Sequence, residues 1–301
     1  MTWGLRLSTW DRGLTLATRD LGRATVDSVE DWLIGRRISL SGRNKVVLAG
    51  GMSSRTGDAL RLLAAFTRYL QNNFGYAAGD FLEVSYYCQA VGAGWRPAPY
   101  EPRHCEDSLD QSAAQVAHSL RWYRSLLPDD TVYHLVGYSL GGVALFAAAA
   151  SLVEAEPDRW RGRLATLITL SAPLFGSDLG PEGDLLGALG LGVLFTGARA
   201  VRELVARGRS PGHRTRVERE AERLRAFGIE LLTLADASDV VVTPEDAVIA
   251  PPGQRARFVL RGPPGPRGQA DTNPFGHGPL LDNTLAWVQI AKLIGPQLYS
   301  K

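Results

Sequence analysis

Residues 132–150 read Val-Tyr-His-Leu-Val-Gly-Tyr-Ser-Leu-Gly-Gly-Val-Ala-Leu-Phe and then four alanines, and few folds accept such a stretch. The apolar and aromatic run from Val132 to Val136 suits a short parallel strand buried on both faces. The alanines from Ala147 onwards favour a helix. Only Gly137-Tyr138-Ser139-Leu140-Gly141 lies between the two elements. A strand that turns so sharply into a helix crowds its own backbone, and a Cβ two residues to either side of Ser139 would collide with strand or helix. The turn lifts the Ser139 hydroxyl above the sheet. It also points the first N–H groups of the helix at whatever approaches that hydroxyl.

The spacing Gly137-x-Ser139-x-Gly141 is that of a nucleophile elbow. In this strand–turn–helix setting the sequence resembles the α/β-hydrolase superfamily, on its lipase and esterase side, over most of residues 45–289. The resemblance implies an α/β-hydrolase fold: a mostly parallel sheet flanked by helices, with an inserted helical cap. On that reading residues 45–177 and 228–301 form the core and residues 178–227 the cap. Residues 1–44 form an N-terminal amphipathic helical extension, because Leu7, Trp10, Leu14, Ala17, Leu21 and Ala24 recur at helical spacing. That extension either packs on the core or offers a membrane-surface or dimer contact.

A chain of 301 residues, 45% hydrophobic, has the material for one sizeable core. The net charge is +2 and the basic residues are spread along the chain, which speaks against nucleic acid as a partner. The N-terminus lacks the pattern of a secretory signal, and the apolar run at residues 185–195 is shorter than the ~20 residues of a membrane span. A cytoplasmic protein is expected, with peripheral membrane contact through the N-terminal helix or the cap as an option. Cys88 and Cys105 are read as two free thiols, with a disulfide as the alternative.

Val46 to Ala49 reads as a buried strand entering Gly50-Gly51-Met52. A helix is expected over residues 59–74, a strand over 81–87, an unstructured loop over 89–107 and a helix over 112–127. That loop is expected at the pocket mouth. His118 is expected to be solvated and His134 to be a satisfied core residue. A strand follows at 165–173, then an apolar helix around 185–195. A charged helix is expected to open at the capping box Thr215-x-x-Glu218 and to end at Gly228. One apolar and one charged helix fit a cap over an apolar pocket, or an ordinary insertion with its own small core. Strands at 231–235 and 257–260 and a final helix beyond Phe275-Gly276-His277 complete the chain.

The resemblance also implies site roles. Ser139, Asp239 and His277 stand in the chain order Ser…Asp…His of that superfamily, with Asp236 and Asp246 as rival acids. The backbone N–H groups of Met52 and Leu140 would form the oxyanion hole, although Gly50 stands where the superfamily carries a histidine. Gly137 and Gly141 shape the elbow. No metal and no cofactor is expected. The activity so implied is hydrolysis of carboxylic esters of lipid-like or apolar acids through an acyl-enzyme, with an ester substrate as the partner. A thioesterase or acyltransferase would use the same residues, and a non-catalytic scaffold of the same fold is the alternative of a different class.

Overall fold

The computed structural model describes residues 42–92, 94–177, 199–237, 239, 241–249, 259–260 and 279–297. The N-terminal extension, the apolar run at 185–195 and His277 therefore lie outside the described residues. Six strands form one sheet in the order β2-β1-β5-β6-β7-β8, and every pairing in it is parallel. They are β1 (Asn44–Ala49), β2 (Phe81–Glu83), β5 (Val132–Tyr138), β6 (Leu164–Leu170), β7 (Glu230–Asp236) and β8 (Val259–Leu260). Strands β3 (Cys88–Val91) and β4 (Gly94–Pro97) make a separate antiparallel hairpin.

Period-two alternation assigns the two faces of the sheet. Val47 and Ala49 of β1 join Leu135 of β5 in one core with α4 (Leu109–Leu126) and α5 (Leu140–Ala155). Val46 and Leu48 turn the other way and pack with Val136, Ile168 and Leu234. Phe66 and Leu70 of α2 (Ala64–Phe74) and Ile290 of α10 (Thr284–Ile294) cover that second face. Strands buried on both faces are why β1 and β5 lack polar alternation in sequence.

The chain runs from β1 outward to β2 and then returns to β5 on the other side of β1. The direction of winding therefore reverses between β1 and β5. In open parallel sheets a crevice opens at such a point, beyond the carboxyl ends of the strands. Gly50 follows β1 and Ser139 follows β5, so both glycine-rich turns meet there.

Several elements differ from the sequence expectation. The helix at 59–74 is two helices, α1 (Asp58–Leu62) and α2, broken at Leu63 with φ −95° and ψ 17°. Strand β2 is shorter than expected: it lies at the edge of the described sheet and its pairing with β1 ends at Leu48 opposite Glu83. The 89–107 loop is not unstructured: it holds most of the hairpin and α3 (Pro102–Cys105). Helix α4 begins at Leu109, three residues before the expected start, because Ser108 caps it by accepting from the Gln111 N–H at 3.1 Å. The charged helix α8 (Pro211–Phe227) starts with Pro211 in its first turn, which leaves Thr215 inside the helix rather than at its cap. It ends at Gly228, φ 100°, as expected.

Helix α6 (Pro157–Trp160) follows α5, and α7 (Arg199–Gly208) and α8 lead from β6 to β7. Val217, Ala221 and Leu224 of α8 lie in the same core as α5, so α8 fills the crossover position over the sheet. Of the segment expected as a cap, this second helix packs as a flanking helix, and residues 178–198 lie outside the described residues. Cys88 and Cys105 are both buried free thiols. No helix among the described residues is long and apolar enough to cross a membrane.

Candidate active site

Ser139 sits between β5 and α5 with φ 52° and ψ −128°, a conformation that L-residues rarely adopt. Non-glycine residues hold such angles at a cost of roughly 1–3 kcal/mol and do so mainly at functional sites. Its own N–H is taken up by the Leu170 carbonyl of β6 at 2.9 Å, and its carbonyl accepts from Gly142 N–H at 2.9 Å. The glycines around it are needed for close approach. A Cβ on Gly137 would stand 2.6 Å from Gly142 Cα, and one on Gly141 would stand 2.6 Å from the Ala49 carbonyl oxygen. The elbow is thus pressed against the end of β1.

The loop after β1 completes the other wall. A Cβ on Gly51 would lie 3.1 Å from Ser139 Cβ, so this glycine passes directly beside the serine. Ser54 N–H and Ser54 Oγ both donate to the Gly51 carbonyl, at 3.3 and 2.6 Å, closing a turn over residues 51–54. Met52 is the second residue of that turn and Ser53, φ 60°, the third. Among the described residues no hydrogen bond takes up the N–H of Met52 or that of Leu140, the first residue of α5. Two unpaired donors therefore flank Ser139, one from each side of the crevice.

The acid candidates sit at the same edge of the sheet. Asp236 is the last residue of β7, two strands from β5, and is buried. Asp239, three residues further, is also buried, and its Oδ1 accepts from the N–H groups of Val241 and Val242, each at 2.9 Å. Those two bonds fix the carboxylate relative to its own turn. Asp246 serves a local purpose: it accepts from Thr243 Oγ1 at 3.0 Å in the first turn of α9 (Pro244–Ala247). Ser139 and Asp239 thus both stand beyond the carboxyl ends of their strands, and His277 lies outside the described residues.

Other histidines occupy different environments. His134 is buried in β5, and its Nδ1 lies 3.1 Å from Thr166 Oγ1. Burial pushes its pKa down to about 4, which keeps it neutral; it is a core residue as expected, but only half satisfied, since its Nε2 has no partner among the described residues. His118 is not simply solvated: it stacks on Trp95 with ring centroids 4.4 Å apart, and burial lowers its pKa. His213, buried near the start of α8, lies 3.0 Å from the Leu174 carbonyl and 3.0 Å from Arg216. A cleft of about 420 Å³ opens beside it between Asp110, Glu203, Arg207 and Arg216. Its lining is charged, and Ser139 is not part of it.

No protein-family model and no curated protein sequence matches the chain. Solved structures do. The lipase BlEst2 of Bacillus licheniformis, in its propeptide form, superposes with a TM-score of 0.50 at 15% identity, over 89% of this chain and 53% of that one. The chain has the α/β-hydrolase fold. The phospholipase PlaB of Legionella pneumophila in complex with thio-NAD aligns at 14% identity and a TM-score of 0.42, over 65% of this chain. The protein TT1662 of Thermus thermophilus aligns at 18% identity and 0.43, over 86% of this chain and 92% of that one. The alignment spans 38% of PlaB and about half of BlEst2. Within the α/β-hydrolase fold, the β5–α5 turn carries Ser139 and the turn after β1 faces it. Glu83, which its sequence context does not mark out, lies with its carboxylate buried beneath the β1 loop. Its only signal was an acid inside the apolar run Phe81-Leu82-Glu83-Val84.

Proposed function

We propose that this α/β-hydrolase-fold chain is a serine hydrolase that cleaves carboxylic esters of apolar acids. One observation carries the reading: the strained Ser139 stands at the switch point of the sheet, flanked by the Met52 and Leu140 N–H groups, which have no partner among the described residues. The pairing of φ 52° with ψ −128° lies outside the left-handed helical region that other residues of a turn can adopt, and strain of that kind is held mainly at functional sites.

The chemistry follows from these groups. A serine hydroxyl is a poor nucleophile near neutral pH, so a neutral imidazole must accept its proton, and His277 is the residue assigned that role. Ser139 Oγ bonds to the acyl carbon, and the carbonyl π electrons move onto oxygen, where the Met52 and Leu140 N–H groups receive the charge. Collapse of that adduct breaks the bond to the alcohol oxygen, which leaves with the proton held by His277. Water then attacks the acyl-enzyme by the same route and frees Ser139. Asp239 orients the imidazole and supports its positive form.

The apolar sequence at residues 185–195 supports an acyl-binding role. Each CH₂ it buried would add roughly 0.8 kcal/mol. The test is a panel of p-nitrophenyl esters and acyl-CoA thioesters of graded chain length. Ester kcat/KM is expected to rise from acetyl towards medium chains. Faster turnover of the thioesters would reassign the chain as a thioesterase. Absence of any turnover above that of Ser139→Ala would overturn the reading.

A further inference from the structure

Glu83 ends β2 and is 2% exposed, yet no lysine or arginine pairs with it among the described residues. Its partners are backbone amides from another segment. Gly57 N–H donates to Oε2 at 2.6 Å and Ala59 N–H to Oε1 at 3.0 Å, while the Tyr100 hydroxyl lies 3.4 Å from Oε1. Gly57, φ 89°, immediately precedes α1, so the carboxylate grips the far end of the loop that runs from Gly50 to α1. The near end is gripped by Tyr86, whose hydroxyl donates to the Gly50 carbonyl at 2.8 Å. Between the two grips, Thr56 N–H donates to the Tyr100 carbonyl at 3.2 Å, and Tyr100 N–H donates to Thr56 Oγ1 at 2.7 Å. The Tyr86 and Tyr100 rings meet edge to face with centroids 5.2 Å apart.

This is an unusual way to satisfy two amides. A serine at the cap would do it locally, as Ser108 does for α4. A carboxylate reaching in from β2 costs desolvation, because burial penalises its charged form. What it adds is a rigid link between the sheet and the loop that carries Met52. We propose that Glu83 is a positioning residue that holds the Met52 N–H in place for the oxyanion formed at Ser139. The inference rests on the serine-hydrolase reading above.

The groups facing Glu83 are Asp58 from α1 and the phenols of Tyr86 and Tyr100. Burial, opposed by the two amide bonds and Tyr100 and aided by Asp58, raises the Glu83 pKa to about 7. Below that pH the carboxyl takes up a proton, one oxygen becomes a donor and a poorer acceptor, and its amide bond is weakened. The loop is then loosened in the same pH range in which the histidine base is protonated.

The experiment is kcat and KM against pH for wild type and Glu83→Gln on one p-nitrophenyl ester, with Tm measured at pH 8. The glutamine keeps the shape but not the charge. Its kcat should fall roughly 10-fold or more, short of the 10²–10³ for outright loss of an oxyanion donor, with KM little changed. The acid limb of log kcat/KM should be steeper than one proton over roughly the first pH unit below 7 in wild type, returning to one below that, and should follow a single proton throughout in the variant. Tm at pH 8 should hold or rise, because a buried charge has been removed. Unchanged kcat, or a fall in kcat matched by a fall in Tm, would mean that Glu83 is structural only. A wild-type acid limb that superposes on the variant's after scaling overturns the proposal. Ester turnover that needs Ser139 but ignores Glu83 removes only this role, whereas turnover that survives Ser139→Ala removes the parent reading.

Discussion

Ser139→Gly and Ser139→Ala should both abolish activity, yet they should differ in stability in an unusual direction. Ser139 adopts φ 52° and ψ −128°, outside the regions open to residues with a Cβ. Alanine retains the Cβ and with it the strain, roughly 1–3 kcal/mol. Glycine removes the strain but enlarges the unfolded ensemble, which costs about 0.4–1 kcal/mol relative to alanine. The difference leaves the glycine variant more stable by ~1 kcal/mol. For a chain of 301 residues that is a Tm roughly 1–2 °C higher than the alanine variant's. Urea and thermal unfolding of the two variants side by side measure it directly. At an unstrained site the order reverses, so an alanine variant as stable as the glycine variant, or more so, would refute strain at the elbow.

Asp239→Asn should lower kcat by roughly 10³–10⁴ with little change in KM, because the imidazole loses its orienting partner. Steady-state kinetics of Asp239→Asn and Asp236→Asn decide between the two carboxylates, and a larger loss at Asp236 would move the assignment. Lys45 Nζ and Asp80 Oδ1 form a fully buried pair at 2.6 Å, so Asp80→Ala strands a charge and should cost about 3–5 kcal/mol in a urea melt. A loss under 1 kcal/mol would show that water reaches Lys45. The Glu83 carboxyl contributes to stability with a definite sign. Its raised pKa makes that contribution full below 4.5 and gone once the pH has risen through about 7. The difference amounts to about 3 kcal/mol at most, and it should appear as a pH-dependent gap in unfolding free energy between wild type and Glu83→Gln.

The elbow was legible because everything it needs is local: an apolar strand, spaced glycines and a helix-forming run within 19 residues. The Gly50–Gly51 turn was legible for the same reason. The parts that escaped depend on distant partners. Strand β2 pairs with β1 only over Phe81–Glu83, and nothing in residues 81–87 shows where pairing with a neighbour stops. Thr215-x-x-Glu218 is a sound capping pattern, yet Pro211 begins the helix a turn earlier and the pattern falls inside it. The hairpin at 88–97 is mostly exposed, so it carries no apolar alternation to read. Glu83 acquires its role only when residues 57 and 59 fold back onto β2, a relation that no local window contains. The choice between Asp236 and Asp239 likewise turns on reach across the sheet edge, which two acids three residues apart cannot reveal in sequence.

Ser139 is proposed here as a nucleophile activated by its surroundings. A fluorophosphonate probe tests this most directly, since it reacts with an activated serine irrespective of the natural substrate. Incubation with the probe, followed by intact-mass analysis and peptide mapping, should give a single adduct on Ser139 in the wild-type protein and none in Ser139→Ala. An unlabelled wild-type protein, or labelling that persists after Ser139→Ala, would contradict the account.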